Sequence, residues 1–311
     1  MIMQILKNLI MLVVIMNNLA AQTNRILEGF IETTHGRTWY SIHGKDKNGI
    51  PLILVHGGPG ASHYYLEPLK KLAEERPVIF YDQLGCGNSR EIINKSFMNV
   101  EYYVDELEKL IAELNFNEYH LWGNSWGAML ITEFISAKKP TNIKSIILSG
   151  AYLNTKLWID DQINYIRQLP DSIKIIIENS EESGDFNNPK YQEAMNIYYK
   201  KHVCRLEQWP ECLNKAFENF GTEVYNAMWG PSEFTVNGTL KNADVIDKFA
   251  RINIPILLTC GEYDESTPAA NQYFASLNSY AKVIVIKDAS HEHHLEKTDE
   301  YLYICREFLN R

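Results

Sequence analysis

Short apolar runs alternate with stretches of helical spacing along most of this chain. Pro51-Leu52-Ile53-Leu54-Val55 reads as a buried strand. So do Pro77-Val78-Ile79-Phe80-Tyr81, Ile146-Ile147-Leu148, Ile256-Leu257-Leu258-Thr259 and Lys282-Val283-Ile284-Val285-Ile286. From Val100 to Leu114 the apolar positions Tyr103, Leu107, Leu110 and Ile111 fall on one helical face. Buried strands separated by helices imply a mostly parallel sheet covered on both faces. Between about Leu153 and Ala250 the pattern changes: strand signals become scarce, helical spacings dominate, and Tyr, Trp, Asn and Glu become frequent. Residues 22–152 and 251–311 therefore read as one α/β core, and residues 153–250 as a helical cap inserted between two of its strands. Within the cap, the acidic run from Glu178 to Asp185 reads as a solvated loop.

The first 21 residues follow a different rule. Lys7 precedes the apolar run Leu9 to Met16, and Asn17-Asn18-Leu19-Ala20-Ala21 follows. One positive charge, a short apolar core and small residues at the end describe a signal peptide. The expected location is secreted or periplasmic, with a cytoplasmic chain as the alternative. The apolar core is too short to span a bilayer comfortably, so no stable membrane insertion is expected after cleavage. The remainder is ordinary for a globular protein, with 45% hydrophobic and 22% charged residues in 311. A net charge of -9 without a long basic run argues against nucleic acid as a partner. Five widely spaced cysteines (Cys86, Cys204, Cys212, Cys260 and Cys305) form no disulfide framework and no CxxC zinc motif. Cys204 and Cys212 are near enough in sequence to pair in an oxidising compartment.

Chemistry concentrates at Gly123-Asn124-Ser125-Trp126-Gly127. The aromatic and apolar segment Tyr119 to Trp122 before it reads as a strand, and Ala128 to Phe134 after it as a helix. Strand, tight turn and helix with serine at the apex form the nucleophile elbow of α/β-hydrolases, which is the expected fold class. Its flanking glycines leave room for a serine in a strained conformation. A serine nucleophile needs a base, and the base needs an orienting carboxylate. In this fold the order along the chain is Ser, acid, His, with both partners at the carboxyl ends of later strands. Asp264, in Gly261-Glu262-Tyr263-Asp264-Glu265, is the candidate acid, with Glu262 and Glu265 as alternatives. His291 is the candidate base, and Glu292 places a further acid beside it. The oxyanion requires two amide donors. Trp126 is one; Gly57 or Gly58 of His56-Gly57-Gly58-Pro59-Gly60 is the other, since Pro59 has no N–H. His293 and His294 read as surface residues or as supports of the base. No metal or cofactor is expected.

Together these blocks, with Asp82-Gln83-Leu84-Gly85-Cys86-Gly87-Asn88-Ser89 and Ser290-His291, resemble the proline iminopeptidase family of α/β-hydrolases, including the tricorn-interacting aminopeptidases. The resemblance runs from about Phe30 to the C-terminus. It implies a serine aminopeptidase that releases one residue, proline or another apolar one, from short peptides with a free N-terminus. Carried onto this chain, it implies a Ser125, Asp264 and His291 triad with Gly58 and Trp126 as the oxyanion hole. Trp229-Gly230-Pro231-Ser232-Glu233-Phe234 resembles the family's Gly-Pro-x-Glu-Phe block. Glu233 and Glu265 would then bind the substrate amine, assisted by Tyr225. The chain departs from the family at Asn124, where many members carry Gln, and at Ala128, where Gly is common. An amino acid amidase would share the amine anchors; a carboxylesterase or lactonase on the same scaffold would not need them.

Overall fold

The computed structural model describes residues 27–91 and 94–311. The signal peptide expected over residues 1–21 lies outside the described residues. Two strands that carry no apolar run come first: β1 (Leu27–Glu32) and β2 (Arg37–His43). They are followed by β3 (Leu52–Val55), β4 (Val78–Tyr81), β5 (Tyr119–Asn124), β6 (Ile143–Ser149), β7 (Ile256–Gly261) and β8 (Ala281–Ile286). These strands form one sheet in the order β1-β2-β4-β3-β5-β6-β7-β8. β2 pairs antiparallel with both β1 and β4, and every pairing from β4 through β8 is parallel. The parallel strands β3, β4 and β5 are buried along their whole length, as continuous apolar runs require. β8 departs from the buried strand expected there. It is the edge of the sheet, and Ile284 and Val285 are partly exposed.

Helix α1 (Val100–Leu114) starts where Asn99 accepts the Tyr102 N–H and ends on Asn115 in the left-handed region. Its spacing buries Tyr103, Leu107 and Leu110 as expected. Helix α2 (Trp126–Lys138) leaves the carboxyl end of β5 and is almost wholly buried. Between β6 and β7 lie α3 (Thr155–Arg167), α4 (Asp171–Ser183), α5 (Pro189–His202), α6 (Glu211–Glu218), α7 (Thr222–Met228) and the short α8 (Ile246–Phe249). The acidic run expected to be a loop is mostly the end of α4. Ile177 and Ser180 are buried there, and the helix stops at Gly184, which takes a positive φ. The separate cluster of Ile166, Leu169, Ile177, Tyr191, Ala194, Met195 and Tyr198 stabilises this segment. After β7 come α9 (Pro268–Ser276), then β8, α10 (His293–Glu296) and α11 (Thr298–Leu309). No helix among the described residues is long and apolar enough to cross a membrane. All five cysteines are free thiols, Cys204 and Cys212 included.

One polar residue of α1 is buried among its apolar neighbours. Glu106 accepts the Leu84 N–H at 2.9 Å and the Thr38 hydroxyl, joining helix, β2 and the loop after β4. Burial pushes its pKa up to about 8, although those two donors pull it down. In the unfolded chain the same carboxyl titrates near 4.5. Its protonated native form therefore contributes stability below about pH 4.5 that is lost as pH rises toward 8. Glu106→Gln removes that titration. The variant's unfolding free energy relative to the parent should rise between pH 5 and 8, by up to about 1.4 kcal/mol per pH unit. Thermal melts across that range read the effect, and a difference independent of pH would contradict it.

Candidate active site

Ser125 sits between β5 and α2 with φ 53° and ψ -118°, outside the ordinary wells of an L-residue. Its N–H donates to the Ser149 carbonyl at 2.9 Å, which ties the turn to β6. A Cβ on Gly123 would run into Gly127, and one on Gly127 would run into the Val55 carbonyl. Both glycines are therefore required by close backbone approach.

The loops after β7 and β8 bring Asp264 and His291 together. His291 Nδ1–H donates to Asp264 Oδ1 at 2.7 Å. Asp264 also accepts the Ser266 N–H at 2.7 Å and the Gly261 N–H at 3.1 Å. Burial alone would raise the Asp264 pKa, but His291 and His293 hold it down to about 2. Burial alone would lower His291, but Asp264, Glu265 and Glu292 hold it up at about 10. The other two acids of the loop do not compete for Nδ1. Glu262 is exposed and accepts the Asp288 N–H at 3.0 Å. Glu265 lies 3.6 Å from the opposite nitrogen, Nε2. Ser125 and His291 line one cavity of about 290 Å³. Gly150, at φ 55°, packs against the His291 ring so closely that a Cβ there would meet it at 2.6 Å. Sequence reading passed over Gly150, because nothing local marks a glycine that faces a residue 141 positions on.

His293 and His294 are not surface residues: both are fully buried. His293 Nδ1–H donates to the Ser290 carbonyl at 3.1 Å and lies 3.5 Å from Asp264 Oδ2. Its Nε2 accepts from Ser149 and Thr259 at 2.9 and 3.0 Å. His294 Nε2–H donates to the Tyr65 carbonyl at 3.0 Å. Both rings are thus committed within the protein.

In the loop after β3, the Gly57 N–H donates to the Tyr65 hydroxyl at 2.7 Å, and that hydroxyl donates to Asn124 Oδ1 at 2.8 Å. The Gly57 amide is therefore engaged, Pro59 has none, and Gly58, with φ 108°, lines the cavity. Trp126 opens α2, so its amide has no acceptor within the helix. Its indole N–H donates to Gln83 at 2.9 Å. The Asp82-Gln83 block is structural. Asp82 accepts from His63 and Asn88, and Gln83 braces His56. His56, Asp82 and Cys86 offer ligand atoms within 4.8 Å of one another, but His56 Nε2 and the Asp82 oxygens already serve these bonds.

Glu233 and Glu265 line the same cavity. Tyr225 donates to Glu233 at 3.3 Å. Burial raises the pKa of both carboxyls, and Glu233 raises that of Glu265 further. Glu265 Oε2 is buried with no protein partner. The loop that carries Glu233 is pinned by Glu181 of α4, whose Oε2 accepts from Ser232 and Thr235 at 2.7 and 2.6 Å. Glu181 belongs to the run read from sequence as solvated, and its partners some 50 residues away leave no local signal. Tyr152, Trp158 and Trp229 line the cavity as an edge-to-face aromatic group, with centroids 5.4 to 6.4 Å apart.

Residues 50–298 match the family model described as alpha/beta hydrolase fold. The proline iminopeptidase of Heyndrickxia coagulans is 39% identical over 284 residues, covering 91% of this chain and 98% of that one. The crystal structure of the proline iminopeptidase of Mycobacterium smegmatis superposes with a TM-score of 0.84 at 31% identity, over 91% of this chain and 98% of that chain. The crystal structure of VinJ does so with a TM-score of 0.86, also at 31% identity and with the same coverage. The chain belongs to the proline iminopeptidase family of α/β-hydrolases.

Proposed function

We propose that this protein is a serine aminopeptidase that releases one residue, proline or another apolar one, from short peptides with a free N-terminus. The observation that carries this reading is a pair of carboxyls, the half-buried Glu233 and the buried Glu265, that line the cavity holding Ser125 and His291. A buried carboxylate without a partner is unfavourable, and a protonated amine supplies the missing charge and donors. The relatives' activity and the aromatic group of Tyr152, Trp158 and Trp229, which suits a compact apolar side chain, support the same assignment.

Ser125 attacks the carbonyl of the first residue while His291 Nε2 takes its proton, with Asp264 orienting the imidazole. The Gly58 and Trp126 amides receive the oxyanion. His291 then returns the proton to the leaving amine, and water hydrolyses the acyl-enzyme. Glu233, held by Tyr225, and Glu265 fix the amine one residue from the scissile bond and so reject blocked N-termini. The amine also has an electrostatic consequence. Its charge between these carboxylates opposes a second positive charge on His291, which makes the imidazole available as a base.

Hydrolysis of aminoacyl-4-nitroanilides, their N-acetylated forms and a 4-nitrophenyl ester tests the assignment. Free-amine anilides should be cleaved and the acetylated ones should lose about 10³-fold or more in kcat/KM. Equal cleavage of both, or of the ester alone, would instead indicate an esterase. Ser125→Ala should abolish turnover, and Glu233→Gln should lower kcat/KM by about 10²-fold, since it leaves a buried cation half-paired.

The pH dependence has a definite sign. Labelling of Ser125 by a neutral fluorophosphonate requires neutral His291, so its rate should rise with pH through that titration. Glu265→Gln removes an ionisable carboxyl 3.6 Å from Nε2, one of the groups that hold His291 up, and should move the midpoint to lower pH. A midpoint that stays in place would mean that Glu265 does not act on the base.

A further inference from the structure

Glu292 is a third buried carboxyl in the cavity, and the proposed mechanism leaves it without a task. Its backbone and carboxyl are held by other residues than those that hold the amine anchors. Its N–H donates to the Val203 carbonyl at 2.8 Å, and its Oε2 lies 3.5 Å from His294 Nδ1. His294 in turn bonds the Tyr65 carbonyl, and Val203, Tyr65 and Glu292 all line the cavity. Glu265, by contrast, is held from α3: the Gln162 amide group donates to its backbone carbonyl at 2.9 Å. The two carboxyls are therefore anchored independently of each other, and both act on His291.

Glu292 Oε2 is buried and has no hydrogen-bond donor. The polar atom facing it cannot supply one. His294 Nε2 carries its proton to the Tyr65 carbonyl, so Nδ1 presents a lone pair, and burial together with His293 keeps this imidazole neutral. A carboxylate opposite a lone pair is unstable without a cation. Burial accordingly pushes Glu292 up to about 8, with Asp264 and Glu296 adding to the rise and His291 opposing it. The remaining groups around it are the Glu265 carboxyl, the Tyr65 phenol and the Cys204 and Cys212 thiols, none of them cationic.

We infer that Glu292 is a specificity residue for the leaving group, and that it selects peptides whose second residue carries a basic side chain, lysine or arginine. This rests on the aminopeptidase reading, in which the first residue occupies the aromatic end between Glu233 and Glu265. The leaving amine must then depart past His291 toward the wall of Tyr65, Val203 and Glu292. A side-chain ammonium or guanidinium arriving there replaces the proton on Glu292 and provides the donors that the protein lacks. A neutral second residue leaves the carboxyl unsatisfied.

Two dipeptide amides test this, one with lysine and one with norleucine at the second position, each carrying whichever first residue the anilide panel ranks highest. Norleucine keeps the chain length and removes the charge. The wild-type enzyme should prefer the lysine substrate by about tenfold or more in kcat/KM, the scale of one charge-assisted hydrogen bond. In Glu292→Gln the lysine-to-norleucine ratio should fall to about one; in Glu292→Asp it should stay above one. Each ratio is taken within one enzyme, so a general loss of activity does not enter it. A wild-type ratio near one overturns the inference whether or not the variants fold, and so does a ratio that survives in Glu292→Gln. Failure of the underlying reading looks different: neither dipeptide, nor any free-amine anilide, would be cleaved in preference to its acetylated form.

Discussion

The site depends on one backbone conformation, that of Ser125 at φ 53° and ψ -118°. Such a geometry costs on the order of 1–3 kcal/mol and persists only where its surroundings over-determine it. Here they do. β5 enters the turn as a buried central strand paired on both sides, and α2 leaves it buried on nearly every face. Gly123 and Gly127 permit the strand and helix to approach each other and β3. The turn places Ser125 on the cavity and Trp126, with its unpaired first amide of α2, directly after it. The proposed nucleophile and oxyanion donor would thus be consequences of one constraint.

The second constraint is electrostatic. Asp264, Glu265 and Glu292 all act on the His291 imidazole, which shares its cavity with Glu233, Glu265 and Glu292. Asp264 is stable as an anion because it accepts two backbone N–H bonds as well as that of His291. The other three lack such donors, and burial keeps their carboxyls toward the neutral form. That asymmetry separates a permanent orienting charge from carboxyls whose ionisation waits for a cation. A cavity built this way favours cationic ligands by leaving its own acids unsatisfied until they arrive.

The parts legible in the sequence are those set by local chemistry. The central strands announce themselves as apolar runs, and the elbow by glycines that its backbone needs. β1 and β2 escaped because neither carries an apolar run, and β1, at the edge of the sheet, buries only Ile31. β2 also buries Thr38 and Ser41, whose polarity hides the strand from a hydrophobic pattern. β8 shows the converse: Val283, Ile284 and Val285 look like core yet lie on the open edge. The surface alternative for His293 and His294 and the solvated reading of Glu181 fail for one cause. Each is polar, but each is buried or engaged through partners distant in sequence, Ser149, Tyr65 and Ser232 among them. The motif alone left Gly57 and Gly58 open and only the family resemblance pointed to Gly58; the Tyr65 hydroxyl, which engages the Gly57 amide, gives that preference a local cause.

The segment between β6 and β7 shows how such long-range bonds serve the chemistry. Glu233 must stand at a fixed distance from Ser125, yet the loop carrying it belongs to no strand or helix. Glu181 holds that loop through Ser232 and Thr235, and Tyr191 of α5 donates to the other oxygen of Glu181 at 2.5 Å. Tyr225 reaches Glu233 from α7, and Gln162 reaches the Glu265 backbone from α3. Four elements of the segment thus converge on the two amine-facing carboxyls. The sheet fixes Ser125 by backbone pairing. The helices fix the proposed amine-binding carboxyls through side-chain bonds. The same division lets a rigid elbow coexist with a recognition surface whose preferences are set residue by residue.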